Sequence, residues 1–317
     1  MKILVTGALG FIGVNYLGLL FEKHPEDEIV GIDALTYAAN PCFIDLYKKH
    51  KNFTFYKADI CDRGAMDEIF FKERPDTVVN FAAESHVDNS ILDPSLFLRT
   101  NVLGVEVLLD ASKRYGIKRF HQVSTDEVYG DTPTNSEHKF NENGGLMPSS
   151  PYSASKAAAD LLTLAYRRTH GLSVSISRSA NNLGEYQHTE KLIPKIICRA
   201  MRGLSVPIYG DGENIRNWIY VRDNCEAIDR IARYGRDGEI YNVGGDCYIS
   251  NIALARKILK MIGKPESLIE FVEDRKGHDR RYAIDCGKIK NELGFSAATP
   301  FNEALEKTVR HYLSSLS

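Results

Sequence analysis

Short, largely apolar runs alternate along the first half of the chain with longer stretches in which apolar residues recur every three or four positions. The runs 3–6, 29–33, 53–58, 77–81, 119–124 and 173–177 have the length and the β-branched or aromatic content of strands. The stretches at about 11–23, 63–73, 95–115 and 151–169 carry the helical spacing. Strands apolar on successive positions, separated by helices, predict a parallel sheet covered on both faces. The start of the last helix is explicit, because Ser150 can cap it and Pro151 suits its first position.

Beyond about residue 180 the alternation loosens. Turn signals gather at Gly210-Asp211-Gly212 and Gly244-Gly245-Asp246, and charges cluster over 273–281. Helical patterns return near 189–202, 222–234, 250–262 and 301–314. The expected organisation is a doubly wound α/β domain over residues 1–180 and a smaller C-terminal α/β lobe over 181–317, with segments from about 217–245 rejoining the first domain. No repeat or low-complexity linker interrupts it.

Composition narrows the function without naming it. The 317 residues are 43% hydrophobic and 26% charged, ordinary values for a globular protein. A net charge of −2 gives no general attraction to nucleic acid or anionic membrane, so an anionic ligand needs local cations. No apolar stretch approaches the ~18 residues of a membrane span, and the N-terminus goes straight into Lys2-Ile3-Leu4-Val5 without a leader pattern. The six cysteines are scattered and form no CxxC pair. No metal site is expected, and reduced thiols in a cytoplasm are.

Gly7, Gly10 and Gly13 follow the first strand and open the first helix. Glycines there permit a tight turn and let backbone N–H groups meet a pyrophosphate at the helix N-terminus. The string alone is weak, but Asp33 ends the next strand 20 residues after Gly13, where a carboxylate can accept hydrogen bonds from the adenosine ribose. Its charge disfavours a 2′-phosphate, so a Rossmann-type site for NAD rather than NADP is expected. Asp59-Ile60, after the third strand, falls where adenine would lie.

Two further clusters carry chemistry. Tyr152 and Lys156 stand four residues apart and share a helix face. An isolated pair of this kind is ordinarily a surface feature, but behind an NAD site it suits a tyrosine that exchanges a proton with help from an ammonium. Asp126 and Glu127 follow Ser124-Thr125 at a strand end. Adjacent carboxyls acquire separated pKa values, so one can act as acid and its neighbour as base.

These motifs resemble the extended short-chain dehydrogenase/reductase superfamily, and within it the dTDP-glucose 4,6-dehydratases. The blocks that carry the resemblance are 35–38, Ala82-Ala83-Glu84-Ser85-His86-Val87-Asp88, 124–130, 150–156, 190–194, 209–212 and Gly277-His278-Asp279-Arg280-Arg281-Tyr282, in family order along nearly the whole chain. The resemblance implies tightly bound NAD and a nucleoside-diphosphate-hexose substrate, dTDP-glucose. It implies C4 oxidation with Tyr152 as proton acceptor and Thr125 on the same oxygen, a C5 base in Glu127, a C6 acid in Asp126, and hydride return to C6. It adds Phe11, Ile12, Leu35, Thr36, Ala82, Ala83, Thr100 and Asn182 to the cofactor contacts. It assigns Ser85, Asn181, Lys191, Leu192, Pro207, Tyr209, Arg216, Asn251 and His278 to the substrate, and it implies a homodimer through the helices at 95–115 and 151–169. The sequence departs from the family pattern at Ala8-Leu9, Asn89, Leu183, Glu185 and Asn217 and in the short segment 131–146. A dehydratase of another nucleotide-hexose, a UDP-sugar 4-epimerase and a non-catalytic NAD-binding protein are the competing readings. Asp126-Glu127 separates the dehydratase from the epimerase, which needs neither a C5 base nor a C6 acid.

Overall fold

Strand β1 (Lys2–Thr6) shows why the sheet is apolar on successive residues. Leu4 packs into one buried cluster with Phe70, Val105 and Leu108, while its neighbours Ile3 and Val5 join another with Val14, Leu17 and Leu20. Side chains of a strand point alternately to opposite faces, so a sheet covered by helices on both needs apolar residues at every position. In this computed structural model, which describes residues 1–134 and 137–316, Asn135 and Ser136 of the short segment 131–146 and the terminal Ser317 lie outside the described residues.

The other strands are β2 (Glu28–Asp33), β3 (Phe53–Lys57), β4 (Thr77–Asn80), β5 (Arg119–Thr125), β6 (Val174–Ser179), β7 (Asn181–Leu183), β8 (Val206–Tyr209), β9 (Ile215–Tyr220), β10 (Glu239–Val243), β11 (Cys247–Ser250) and β12 (Ile269–Val272). Seven make one sheet in the order β10-β6-β5-β4-β1-β2-β3, and every pairing in it is parallel. The chain builds outward from β1 through β2 and β3, then crosses to β4 on the other side. That reversal opens a crevice at the carboxyl ends of β1 and β4, where ligands of such sheets bind. A three-stranded sheet, β11-β9-β7, and a two-stranded one, β12-β8, form the opposite wall.

Within 217–245, β10 takes the edge of the large sheet beside β6, and the helix Val221–Tyr234 packs on the helix Phe11–Lys23, but residues through Tyr220 belong to β9 in the smaller sheet. The helical pattern at 95–115 is not one α-helix. It divides into Pro94–Leu98, a π-helical turn Arg99–Leu103 and Gly104–Arg114. The wider turn carries Asn101, which accepts from the Glu84 N–H and donates to the Glu84 carbonyl and to Ser155 Oγ. The pattern near 189–202 starts later than expected, as Leu192–Met201, because Lys191 keeps an extended backbone. No helix among the described residues is long and apolar enough to cross a membrane.

Candidate active site

The turn after β1 is built so that backbone, not side chain, faces the crevice. Gly7 has φ +60°, and a Cβ on it would come within 2.7 Å of the Ala82 nitrogen; one on Gly13 would lie 2.1 Å from the Gly7 carbonyl oxygen. The helix Phe11–Lys23 has no side-chain cap at Gly10, so its first N–H groups are free to meet an anion. Asp33, buried at the end of β2, accepts from the N–H groups of Leu9 at 2.9 Å and Leu35 at 2.8 Å, which fixes its carboxylate at the edge of the crevice. Burial pushes its pKa up against those two hydrogen bonds.

A cavity of about 330 Å³ opens over this turn. Gly7, Gly10, Phe11, Ile12 and Gly13 of the turn line it, with Asp33, Thr36, Asp59 and Ile60 from at and beyond the ends of β2 and β3. Ala82, Ala83, Thr100, Tyr152 and Lys156 complete its lining. Two expected cofactor contacts fall elsewhere. Leu35 has φ 57°, and its side chain turns onto the hydrophobic core behind the turn. Asn182 lines the neighbouring chamber, held by a hydrogen bond from Nδ2 to the Ala180 carbonyl. Arg99 lines the first cavity and pairs with Asp59 at 3.2 Å, a contact not anticipated because the turn that presents it looked like ordinary helix.

The second chamber, also about 330 Å³, shares Ser85, Tyr152, Gln187 and Lys191 with the first, so the two are one cleft. Ser85, Thr125, Asn181, Lys191, Leu192, Pro207, Tyr209, Arg216, Asn251 and His278 all line it, together with Asp126 and Glu127. Lys191 donates to the Ser85 carbonyl at 2.6 Å, which joins the two walls across the cleft. Tyr209 donates to Asp88 at 2.9 Å, and His278 pairs with Asp274 at 2.7 Å. Arg216 is buried, stacks on the Tyr282 ring at 4.2 Å and donates to the Asp279 carbonyl. Arg275 also reaches this chamber, bonded to Asp88 at 3.4 Å. Its position in the charged run 273–281, just ahead of the Gly277–Tyr282 block, was the available signal.

Thr125 ends β5, and its hydroxyl accepts from the Glu127 N–H at 3.2 Å, capping the tight turn Asp126–Tyr129 that aims both carboxyls into the chamber. Their surroundings differ. Asp126 is 2% exposed, and burial, then the charge of Glu127, pushes its pKa up to about 8. Its Oδ2 has no partner within the protein. Burial also raises Glu127, but Arg275, Arg216 and Lys191 face it and favour its charged form. Tyr152 is raised by burial, then by Glu127 and Asp126, with a hydrogen bond from Thr125 acting the other way. Burial lowers Lys156 to about 8, and its Nζ donates to the Val123 carbonyl at 2.6 Å. The arrangement brings together in one cleft a carboxyl that keeps its proton at neutral pH, a second carboxyl faced by three cations, and a tyrosine.

A family model described as GDP-mannose 4,6 dehydratase matches residues 4–308. The chain belongs to this family. Low-salt glycan biosynthesis protein Agl12 of Haloferax volcanii is 49% identical over 313 residues, covering 99% of each chain. A dTDP-glucose 4,6-dehydratase of Haemophilus influenzae is 44% identical over 337 residues, covering 100% of this chain and 99% of its own. The crystal structure of the dTDP-glucose 4,6-dehydratase DesIV of Streptomyces venezuelae, with NAD and dTDP bound, superposes with a TM-score of 0.95 at 42% identity, covering 99% of this chain and 97% of that one. A UDP-glucose 4-epimerase of Thermotoga maritima shares the fold at a TM-score of 0.91 but only 29% identity, over all of both chains. Fold alone therefore does not separate the family's dehydratases from epimerases.

Proposed function

We propose that this chain is an NAD-dependent nucleotide-sugar 4,6-dehydratase that converts dTDP-glucose to its 4-keto-6-deoxy product. The observation that carries the reading is the Asp126/Glu127 pair: adjacent carboxyls in unlike surroundings, in the chamber that Tyr152 closes. The glycine turn that a Cβ would fill, the uncapped helix and the fixed Asp33 carboxylate fit NAD, and Asp33 would repel a 2′-phosphate. When bound, NAD⁺ supplies the two-electron acceptor for C4, the donor that later serves C6, and a positive charge beside Tyr152.

In this reading Tyr152 takes the C4 hydroxyl proton while Thr125 holds the same oxygen. The new ketone acidifies C5–H, and Glu127 removes that proton. Asp126 protonates the C6 hydroxyl as it leaves as water. Lys191, Arg216 and His278 meet the diphosphate, with Ser85, Asn181, Leu192, Pro207, Tyr209 and Asn251 around the sugar and base, and Arg275 beside them. An epimerase has no use for the acid and base that the carboxyl pair provides. Residues 1–180 would carry the cofactor and 181–317 the substrate.

The same reading includes a homodimer and a cytoplasmic setting. Leu92 is 84% exposed, and Leu103 and Leu161 are each 58% exposed, on or beside the helices expected to pair. The six cysteines are free, as in a reducing compartment. The test is to incubate the purified protein with dTDP-, UDP-, CDP- and GDP-glucose and weigh the products. Loss of one water from the dTDP sugar is expected, and an unchanged mass with every nucleotide would refute the proposal.

A further inference from the structure

The steps above leave one buried charge pair unused. Asp160 stands one helical turn beyond Lys156, and Arg178 of β6 donates through Nε to its Oδ2 at 2.9 Å; the two side chains are 0% and 3% exposed. Arg178 stacks on the Tyr129 ring at 4.7 Å, and Tyr129 donates to Asn242 at 2.8 Å, which anchors the pair to β10. Asp160 Oδ1 and Arg178 Nη1 have no partner within the protein. Desolvating two charges can cost more than their attraction returns, and apolar replacements of buried ion pairs are often neutral or stabilising, so such a pair is weak evidence of a stabilising role. Its place beside Lys156 therefore calls for a role other than stability.

The elements packed around the Lys156 helix carry several charged and titratable groups. Its own helix contributes Tyr152 and Asp160, the tight turn contributes Asp126 and Glu127, and β6 contributes Arg178. Strand β5 offers the Val123 carbonyl and His121, which burial keeps neutral between Ser175 and Ser177. Burial drives Lys156 toward its neutral form, and Asp160 is the charge that opposes this. Burial works against the charge of Asp160 too, and Arg178 foremost counters it.

We propose that Asp160 is a positioning residue for the reaction, keeping the Lys156 ammonium charged while Arg178 keeps Asp160 ionised. This rests on the dehydratase reading, in which that ammonium assists Tyr152.

The test compares Asp160→Asn, Asp160→Asn/Arg178→Met and Asp160→Glu in the NAD-loaded protein. Three quantities are measured: thermal midpoint, the titration of Lys156 by NMR of ¹⁵N-lysine protein, and the pH profile of single-turnover C4 oxidation of dTDP-glucose. The single Asn variant should lose stability by leaving Arg178 unpaired, and the double variant should recover most of it. In both, the Lys156 titration and the alkaline limb of the profile should move down by roughly one to three pH units, the range for loss of a close opposite charge. Asp160→Glu should keep the wild-type titration. A double variant with the wild-type titration and limb, or a Glu variant that titrates like Asn, overturns the proposal. If wild-type protein fails to dehydrate dTDP-glucose, the functional reading fails, and the lysine titration still decides the role of Asp160.

Discussion

Asp126 and Glu127 are neighbours in sequence, and the groups packed around them divide their tasks. With its pKa raised to about 8, Asp126 keeps its proton at neutral pH, and it loses acid competence as pH rises through that value. Water loss should therefore decline above about pH 8, while hydrogen exchange at C5, which Glu127 carries, persists. Glu127→Gln should still oxidise C4 but accumulate bound NADH and a 4-keto-glucose nucleotide with little C5 exchange. Asp126→Asn should keep C5 exchange and lose dehydration; wild-type turnover in both would remove the pair from the mechanism. Tyr152→Phe should retain NAD and slow C4 oxidation by ~10²–10⁴-fold, the usual worth of a positioned proton acceptor. These residues were legible in the sequence because their spacing is local: four positions on a helix, or adjacent positions at a strand end. Arg275 left only a weaker trace, the charged run 273–281, because it meets Glu127 across the chamber and not along the chain.

At the scale of elements, the parallel sheet was readable because its strands must be apolar on both faces, and β1 sends successive residues into two different clusters. The glycine turn was readable because only glycine tolerates its close approaches. Gly13→Ala places a methyl 2.1 Å from the Gly7 oxygen, so the backbone has to move. Such overpacking costs about 1–3 kcal/mol. The variant should show a lowered thermal midpoint and purify with little bound NAD; normal NAD content would contradict the close packing. The π-helical turn at Arg99–Leu103 was hidden, since its periodicity reads as continuous helix. What favours it is tertiary: the bonds of Asn101 to Glu84 and Ser155, remote in sequence. The boundaries at Leu192 and β6 moved by a few residues, since propensity leaves element ends open.

At the scale of the molecule, the large sheet presents the cofactor-side chamber and the two small sheets close the substrate side, with Tyr152 and Lys191 on both. The exposed leucines along the helices Pro94–Leu98 to Gly104–Arg114 and Pro151–His170 predict self-association. If the proposed homodimer pairs through these helices, wild type should sediment as a dimer and Leu103→Glu with Leu161→Glu as a monomer; a monomeric wild type would refute the dimer, and a dimeric variant would move the interface elsewhere. In the proposed reaction, redox chemistry at C4 and water loss across C5–C6 occur in one cleft, the electrons being lent and returned. Its most direct measurement is turnover of dTDP-glucose in deuterated water, with product mass and position of label read by mass spectrometry and NMR and free NADH by absorbance. The expected outcome is a 4-keto-6-deoxy product lacking one water, a solvent deuteron at C5 and no net NADH. A 4-epimer of unchanged mass, or NADH released in step with product, would contradict it.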